Sequence, residues 1–240
     1  MNEALLVRGL TKSYGGKKAV DHLDLSVRRG TVFGFLGANG AGKSTAIECI
    51  LGTKQADCGT VRLLGQDPKE RRRELFQRIG VQFQEGDHQP EIKVSELCEE
   101  TASLYRDPAD WRGLCAQFAI GDKANALVRS LSGGERQRLF IVLALIPQPE
   151  VVFLDELTTG VDARARREVW KTLEALKMRG LTIFLTSHFM DEVEALCDEI
   201  CILKKGSAVF LGTVGQAKER CGCARFEDAY LQLSDGEADE

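Results

Sequence analysis

One run, Phe35-Leu36-Gly37-Ala38-Asn39-Gly40-Ala41-Gly42-Lys43-Ser44-Thr45, constrains this chain more than any other. Gly37, Gly42, Lys43 and Ser44 complete the spacing G-x-x-x-x-G-K-[ST]. The β-branched and aromatic stretch Thr31 to Leu36 predicts a buried strand entering the loop, and Ala46 to Leu51 predicts a helix leaving it. Gly37, Gly40 and Gly42 carry no Cβ, so the backbone can take positive φ there and converge its N–H groups on an anion. The helix N-terminus behind them adds partial positive charge. Lys43 supplies a full charge for β and γ phosphates, and Ser44 a hydroxyl ligand for Mg²⁺.

The chain has 240 residues, room for one well-buried α/β domain or a core with a small subdomain. Lys and Arg number 32 against 36 for Asp and Glu, and a net charge of −4 argues against a nucleic-acid partner. No apolar run approaches the roughly 20 residues that span a bilayer. Met1-Asn2-Glu3-Ala4 has no basic segment followed by an apolar core, so the expectation is no secretory signal and a cytoplasmic location. Of eight cysteines, Cys49, Cys98, Cys115, Cys197 and Cys201 lie in apolar stretches and are expected as reduced packed thiols. Cys221-Gly222-Cys223 is the one tight pair, and with Cys197 and Cys201 it fits no familiar zinc spacing.

Ala4 to Arg8 and Leu23 to Val27 read as short strands, with Lys12-Ser13-Tyr14-Gly15-Gly16 a loop between them. Gly59 to Leu64 and Arg78 to Phe83 are further strands, the second ending at Gln84, and the basic run Lys69 to Glu74 is a solvated helix face. From Val94 to about Ala119 the spacing turns helical, broken around Asp107-Pro108, which predicts a helical insert in the α/β core. The helix Glu135 to Ile146 closes it, stopped by Pro147 and Pro149. Val151 to Leu154 is an apolar strand ending in Asp155-Glu156, and Asp162 caps a helix over Ala163 to Met178. Thr182 to Thr186 is a strand followed by Ser187-His188 and a helix through Asp191 to Leu196. Ile200 to Leu203 and Ala208 to Leu211 form a hairpin, and Val214 to Leu233 is helical before an acidic tail. Alternating strands and helices make a mostly parallel sheet with helices on it.

Two further stretches carry chemistry. An Asp at the end of an apolar strand holds Mg²⁺, directly or through water, in phosphate-loop NTPases, and Glu156 directly after Asp155 can orient and polarise an attacking water. Leu131-Ser132-Gly133-Gly134-Glu135-Arg136-Gln137 places small residues at a helix N-terminus, leaving N–H groups and the Ser132 hydroxyl for a second anion. With the phosphate loop, this stretch makes the chain resemble the ATP-binding cassette (ABC) ATPases, whose signature is Leu-Ser-Gly-Gly-x-x-x-x-Arg/Lys. The resemblance covers roughly residues 4 to 233.

The resemblance implies that Gly37, Asn39, Gly40, Gly42, Lys43, Ser44 and Thr45 bind ATP and that Tyr14 stacks on adenine. It implies that Ser44, Gln84 and Asp155 serve Mg²⁺, with Gln84 also reaching the attacking water; Gln82, inside its strand, fits that role worse. By the same resemblance Glu156 and His188 are catalytic, His188 meeting the γ-phosphate. Ser132, Gly133 and Gly134 would contact the nucleotide of a partner subunit, and Asp162 would lie in the loop that crosses between subunits. Leu157 departs from the Pro that many members carry. Gln84-Glu85, the stretch Ser187 to Asp198 and the closing Phe226 to Leu231 resemble members serving exporters with a separately encoded permease.

The expected fold is α/β: a phosphate-loop NTPase core with a mostly parallel sheet, an antiparallel β subdomain and an inserted helical signature subdomain. One domain is expected, with core segments 1–87 and 149–212, the helical subdomain at 88–148 and a helical tail at 213–240. The function implied is the ATP-hydrolysing subunit of a membrane exporter, with ATP and Mg²⁺ as ligands. Its expected partners are an integral membrane permease, docking at the groove near Gln84 to Pro90 and the helical subdomain, and a second ABC ATPase subunit, in a homo- or heterodimer. It would lie on the inner face of the cell membrane. A soluble ATPase of an assembly machine, of iron–sulfur type, and a regulatory ATP-binding subunit remain as alternatives.

Overall fold

The computed structural model describes residues 2–82, 91–158 and 160–235. In chain order the strands and helices are β1 (Glu3–Tyr14), β2 (Lys17–Arg28), β3 (Val32–Leu36), α1 (Lys43–Ile50), β4 (Cys58–Leu63), α2 (Arg72–Leu75) and β5 (Ile79–Gln82). Then come α3 (Val94–Ser103), α4 (Trp111–Gln117), α5 (Gly133–Leu145), β6 (Val151–Leu154), α6 (Ala163–Met178) and β7 (Thr182–Leu185). The chain ends with α7 (Met190–Leu196), β8 (Glu199–Lys204), β9 (Ser207–Gly212), α8 (Val214–Cys221) and α9 (Phe226–Asp235). By packing, the chain divides into two units, residues 1–75 with 187–240, and residues 76–186.

The first unit holds an antiparallel sheet in the order β2-β1-β4. Along β2, Leu23, Leu25 and Val27 are buried while His22, Asp24 and Arg28 are exposed, the alternation of a sheet with one face on a core. β1 and β2 are longer than the sequence pattern predicts. The pairing runs to Tyr14 opposite Lys17, so Lys12 to Tyr14 is strand rather than loop. Gly15 and Gly16, at φ +55° and +83°, make the two-residue turn that right-twisted strands require. β3 is buried at all its positions and runs parallel to β8, which turns back antiparallel into β9. Leu36, Ile200, Ile202 and Phe210 from these strands pack with Val193, Ala217, Phe226 and Ala229 from α7, α8 and α9. The expected single helix from Val214 is two, divided at Gly222. Cys221 and Cys223 pack against that core, and among the described residues no cluster of three or more metal-ligating side chains occurs. Cys49, Cys98, Cys115 and Cys201 are buried as expected, while Cys197 is only half-buried.

The second unit holds the parallel strands β5, β6 and β7, with Gln82 beside Leu154 and Leu154 beside Leu185. β6 and β7 are buried throughout. The helical insert is α3, α4 and α5. Asp110 caps α4 by accepting from the Arg112 and Gly113 N–H groups, each at 3.1 Å. α5 begins at the cap Ser132 and ends before Pro147, which cannot continue a helix. Asp162 caps α6 as the sequence predicts, accepting from Arg164 and Ala165 at 3.0 Å. Among the described residues no helix is long and apolar enough to cross a membrane. The architecture is α/β, with parallel strands, a separate antiparallel sheet and an inserted helical region.

Candidate functional site

The loop between β3 and α1 has the shape its glycines allow. Gly37, Gly40 and Gly42 have φ of +152°, +78° and +107°. Gly42 is the left-handed cap of α1, and a Cβ there would fall 2.1 Å from the Ala19 carbonyl oxygen. No other residue fits both constraints. The Lys43 ammonium folds back onto the loop and donates to the Gly37 carbonyl at 2.5 Å and the Ala38 carbonyl at 3.2 Å. Ala38, Asn39, Gly40 and Ser44 are at least partly open to solvent, so the rim of the loop can meet a ligand. The first-turn N–H groups of α1, at Ser44 and Thr45, have no acceptor within the helix.

Beside this loop lies a cleft of about 450 Å³ lined by Tyr14, Lys17, Lys18, Ala19, Gly40 and Lys205. Tyr14 is 45% exposed at the end of β1. Two lysines flank its ring, Lys12 at 5.5 Å and Lys54 at 5.4 Å from the centroid. Each is held by a carboxylate, Lys12 by Asp57 at 2.8 Å and Lys54 by Glu48 at 2.6 Å. The Lys12 partnership pulls the Asp57 carboxyl below its ordinary range and raises the Lys12 ammonium above its own. His188, in the same unit, is exposed at the start of α7 and lines a separate cleft with Asp191, Glu194 and Arg225.

In the second unit, Asp155 and Glu156 follow β6 directly. The Asp155 N–H donates to the Gln82 carbonyl at 3.2 Å, and the Gln82 amide donates to the Asp155 carbonyl at 3.1 Å. The Thr186 hydroxyl, at the end of β7, bonds the Asp155 carboxylate and accepts from the Glu156 N–H at 2.9 Å. Glu156 has φ +51°, in the left-handed region that few side chains adopt. Leu157 is fully buried, and its N–H points to the Thr186 carbonyl at 3.4 Å, a bond that the Pro common at this position lacks. Gln84 lies outside the described residues, as does the expected docking stretch through Pro90.

Ser132, Gly133 and Gly134 open α5, but the Ser132 donors are already occupied. Its N–H and its hydroxyl both donate to the Glu135 carboxylate at 2.8 Å, and its hydroxyl accepts from the Glu135 N–H at 3.3 Å. This reciprocal box satisfies groups that the sequence pattern offers to an external anion. Lys123 lies 3.0 Å from the same carboxylate. Bonds from Ser132, reinforced by that ammonium, pull the Glu135 carboxyl down to about 2. Gly133 and Gly134 are first-turn positions whose N–H groups have no acceptor inside the helix.

The first unit thus carries Tyr14, the loop Gly37 to Thr45 and His188, with Tyr14 and Gly40 on one cleft and His188 lining another. The second gathers Asp155 and Glu156, and carries Ser132 to Gly134 and Asp162. The sequence alone assigns no role to Thr186 or Gln137. A Thr ending an apolar strand reads as core, and Gln137 reads as one more residue of the signature helix. Only the fold puts its side chain on the carbonyls after β6.

Residues 20–159 match the family described as ABC transporter. The chain is 41% identical over 213 residues to a Nod factor export ATP-binding protein I of Ralstonia nicotianae, covering 87% of this chain and 66% of that protein. It is 37% identical over 229 residues to a daunorubicin resistance ATP-binding protein of Streptomyces coeruleorubidus, covering 93% and 72% respectively. The chain therefore spans about two thirds of the length of these relatives. Its fold matches the ATP-binding subunit of an ABC transporter with a TM-score of 0.87 at 23% identity, covering 96% of this chain and 99% of that one. A nucleotide-free ATP-binding cassette gives 0.80 at 22% identity, covering 95% and 98%. At such identities the likeness is one of fold, and the family rests on the sequence matches. With a phosphate loop of the required backbone, a strand-ending Asp-Glu pair and a Leu-Ser-Gly-Gly helix start along it, this chain belongs to the ABC transporter family as one of its ATP-binding proteins.

Proposed function

We propose that the chain is the ATP-hydrolysing subunit of an ABC exporter, pairing head to tail with a second cassette around two ATP and driving a separate integral membrane permease. The observation that carries the ATP half is the phosphate loop, with left-handed Gly40 and Gly42 and a lysine aimed back across it. The export half is supported by relatives whose names are Nod factor export and daunorubicin resistance ATP-binding proteins. The permease would hold the chain on the inner face of the cell membrane. In this reading the whole chain is one cassette, with 88–148 its helical subdomain and 213–240 its tail.

In the proposed reaction Lys43 and the amides of the loop hold the β and γ phosphates, and Tyr14 stacks on the base. The Ser44 hydroxyl and Asp155 carboxylate are hard oxygen donors of the kind Mg²⁺ takes, and Gln84 is a third candidate ligand. Bound with ATP, that ion neutralises charge on the β and γ phosphates. Glu156 accepts the proton of the attacking water, and His188 meets the γ-phosphate. Ser132, Gly133 and Gly134 serve the ATP on the partner cassette, with Asp162 in the loop between subunits. Closure results from ATP contacting both halves, and hydrolysis releases it.

The test is affinity purification of the tagged chain from detergent-solubilised membranes, with ATP turnover measured on the eluate. A multi-span membrane protein that co-purifies and changes the turnover is the expected result. Co-purification with soluble assembly proteins alone contradicts export.

A further inference from the structure

We propose that Gln137 and Thr186 are positioning residues that clamp the backbone of Glu156 from both sides and so aim its carboxylate. The proposal rests on the reading of Glu156 as the group that activates water. Glu156 is a non-glycine residue at φ +51°, a conformation that persists where surrounding bonds over-determine it. Those bonds are visible. On one side, its N–H donates to the Thr186 hydroxyl at 2.9 Å. On the other, its carbonyl accepts from the Gln137 amide at 3.1 Å. The same amide reaches the Leu157 carbonyl at 2.9 Å, so both of its protons are engaged. Two carbonyl oxygens call for a donor, which fixes the orientation of the Gln137 amide. Thr186 is 1% exposed, and its hydroxyl also bonds the Asp155 carboxylate.

With the peptide planes before and after Glu156 both pinned, its φ and ψ are set, and with them the direction in which the side chain leaves the backbone. A reacting group displaced by about 1 Å can cost on the order of 100-fold in rate. Gln137 is also on α5, the helix capped by Ser132. A shift of α5 therefore pulls directly on the Glu156 carbonyl. This gives the Leu-Ser-Gly-Gly helix start a hydrogen-bonded link to the general base within one unit of the fold.

The test is steady-state and single-turnover phosphate release by the purified chain with Mg²⁺-ATP. Gln137→Met keeps the length and removes the donor. It should lower kcat by roughly 10- to 100-fold while the KM for ATP stays within about twofold. In a Glu156→Gln background it should cause no further loss, because the group it aims is gone. Thr186→Val should lower kcat in the same way, and Thr186→Ser, which keeps the hydroxyl, should restore it. That pair decides the matter if Gln137→Met fails to fold. Wild-type kcat in Gln137→Met and Thr186→Val, beside a slow Glu156→Gln, overturns the clamp and leaves the role of Glu156 standing. An equal further loss from Gln137→Met in the Glu156→Gln background also overturns it. Wild-type turnover in Glu156→Gln overturns the reading on which the clamp rests.

Discussion

At the scale of single residues, charge and ring faces decide what the first unit can hold. Lys43 bonds two carbonyls of its own loop, which holds its ammonium over that loop, where the proposed function places the phosphates. Lys43→Ala should nearly abolish ATP binding at low micromolar nucleotide, measured by equilibrium titration, because the phosphates lose their fixed cation. Equal affinity in both proteins would rule out this loop as the phosphate site. Tyr14 lines the cleft, whereas Lys12 and Lys54, which flank its ring, do not. A base stacking on this ring would have to share it with those two ammonium groups. Tyr14→Ala should weaken ATP and GTP alike, and Tyr14→Phe or Tyr14→Trp should be tolerated in the same titration. Loss on Tyr14→Phe would make the hydroxyl the contact instead of the π face.

At the scale of elements, the start of α5 shows how a local device competes with a ligand. The Glu135 carboxylate occupies the Ser132 N–H and hydroxyl, so an incoming anion meets a helix end already capped by the chain's own charge. Ser132→Ala should cost about 1 kcal/mol of stability, the usual loss of an N-cap, read from denaturant unfolding. Because the folded Glu135 carboxyl sits near 2, against 4.5 for the free group, its contribution is present above about pH 4.5. It is lost as pH falls from there through about 2. Glu135→Gln should therefore melt below wild type at pH 7, and the gap should narrow as melts are repeated towards pH 3. A gap that widens on acidification would contradict the assignment.

Elements are legible in the sequence where one force sets them. β3, β6 and β7 are continuous apolar runs and fall within a residue of the expected bounds, and Asp162 marks the start of α6 without error. The hairpin of β1 and β2 extends past its apolar pattern because Lys12, Ser13 and Tyr14 are polar or half-exposed, and cross-strand bonds there do not need burial. The break between α8 and α9 is easily passed over because Val214, Ala217 and Cys221 on one side and Phe226, Ala229 and Tyr230 on the other each keep helical spacing, although the two stripes are out of phase. In the site, the phosphate loop is legible because its backbone demands glycine. The Ser-x-x-Glu spacing of Ser132 and Glu135 is a capping signal as much as a ligand surface, and the fold uses it as a cap. Thr186 and Gln137 act through backbone groups distant in sequence, which no spacing announces.

At the scale of the whole molecule, the proposed function requires that ATP close two cassettes and that Glu156 open them again. Each chain carries one phosphate-loop motif and one Leu-Ser-Gly-Gly helix start, so under that proposal two chains head to tail would supply two complete sites. Gln in place of Glu156 keeps size and hydrogen bonding, so ATP binding should survive. It cannot accept a proton, so hydrolysis should fall by roughly the 10²–10⁴ typical of losing a general base. Asp155→Asn should differ, weakening Mg²⁺-ATP itself by removing the proposed metal ligand. The most direct measurement is size-exclusion chromatography of Glu156→Gln with Mg²⁺-ATP, beside phosphate release on the same sample. The account predicts a hydrolysis-deficient dimer that needs both ATP and Ser132; a Glu156→Gln chain that hydrolyses ATP like wild type contradicts it.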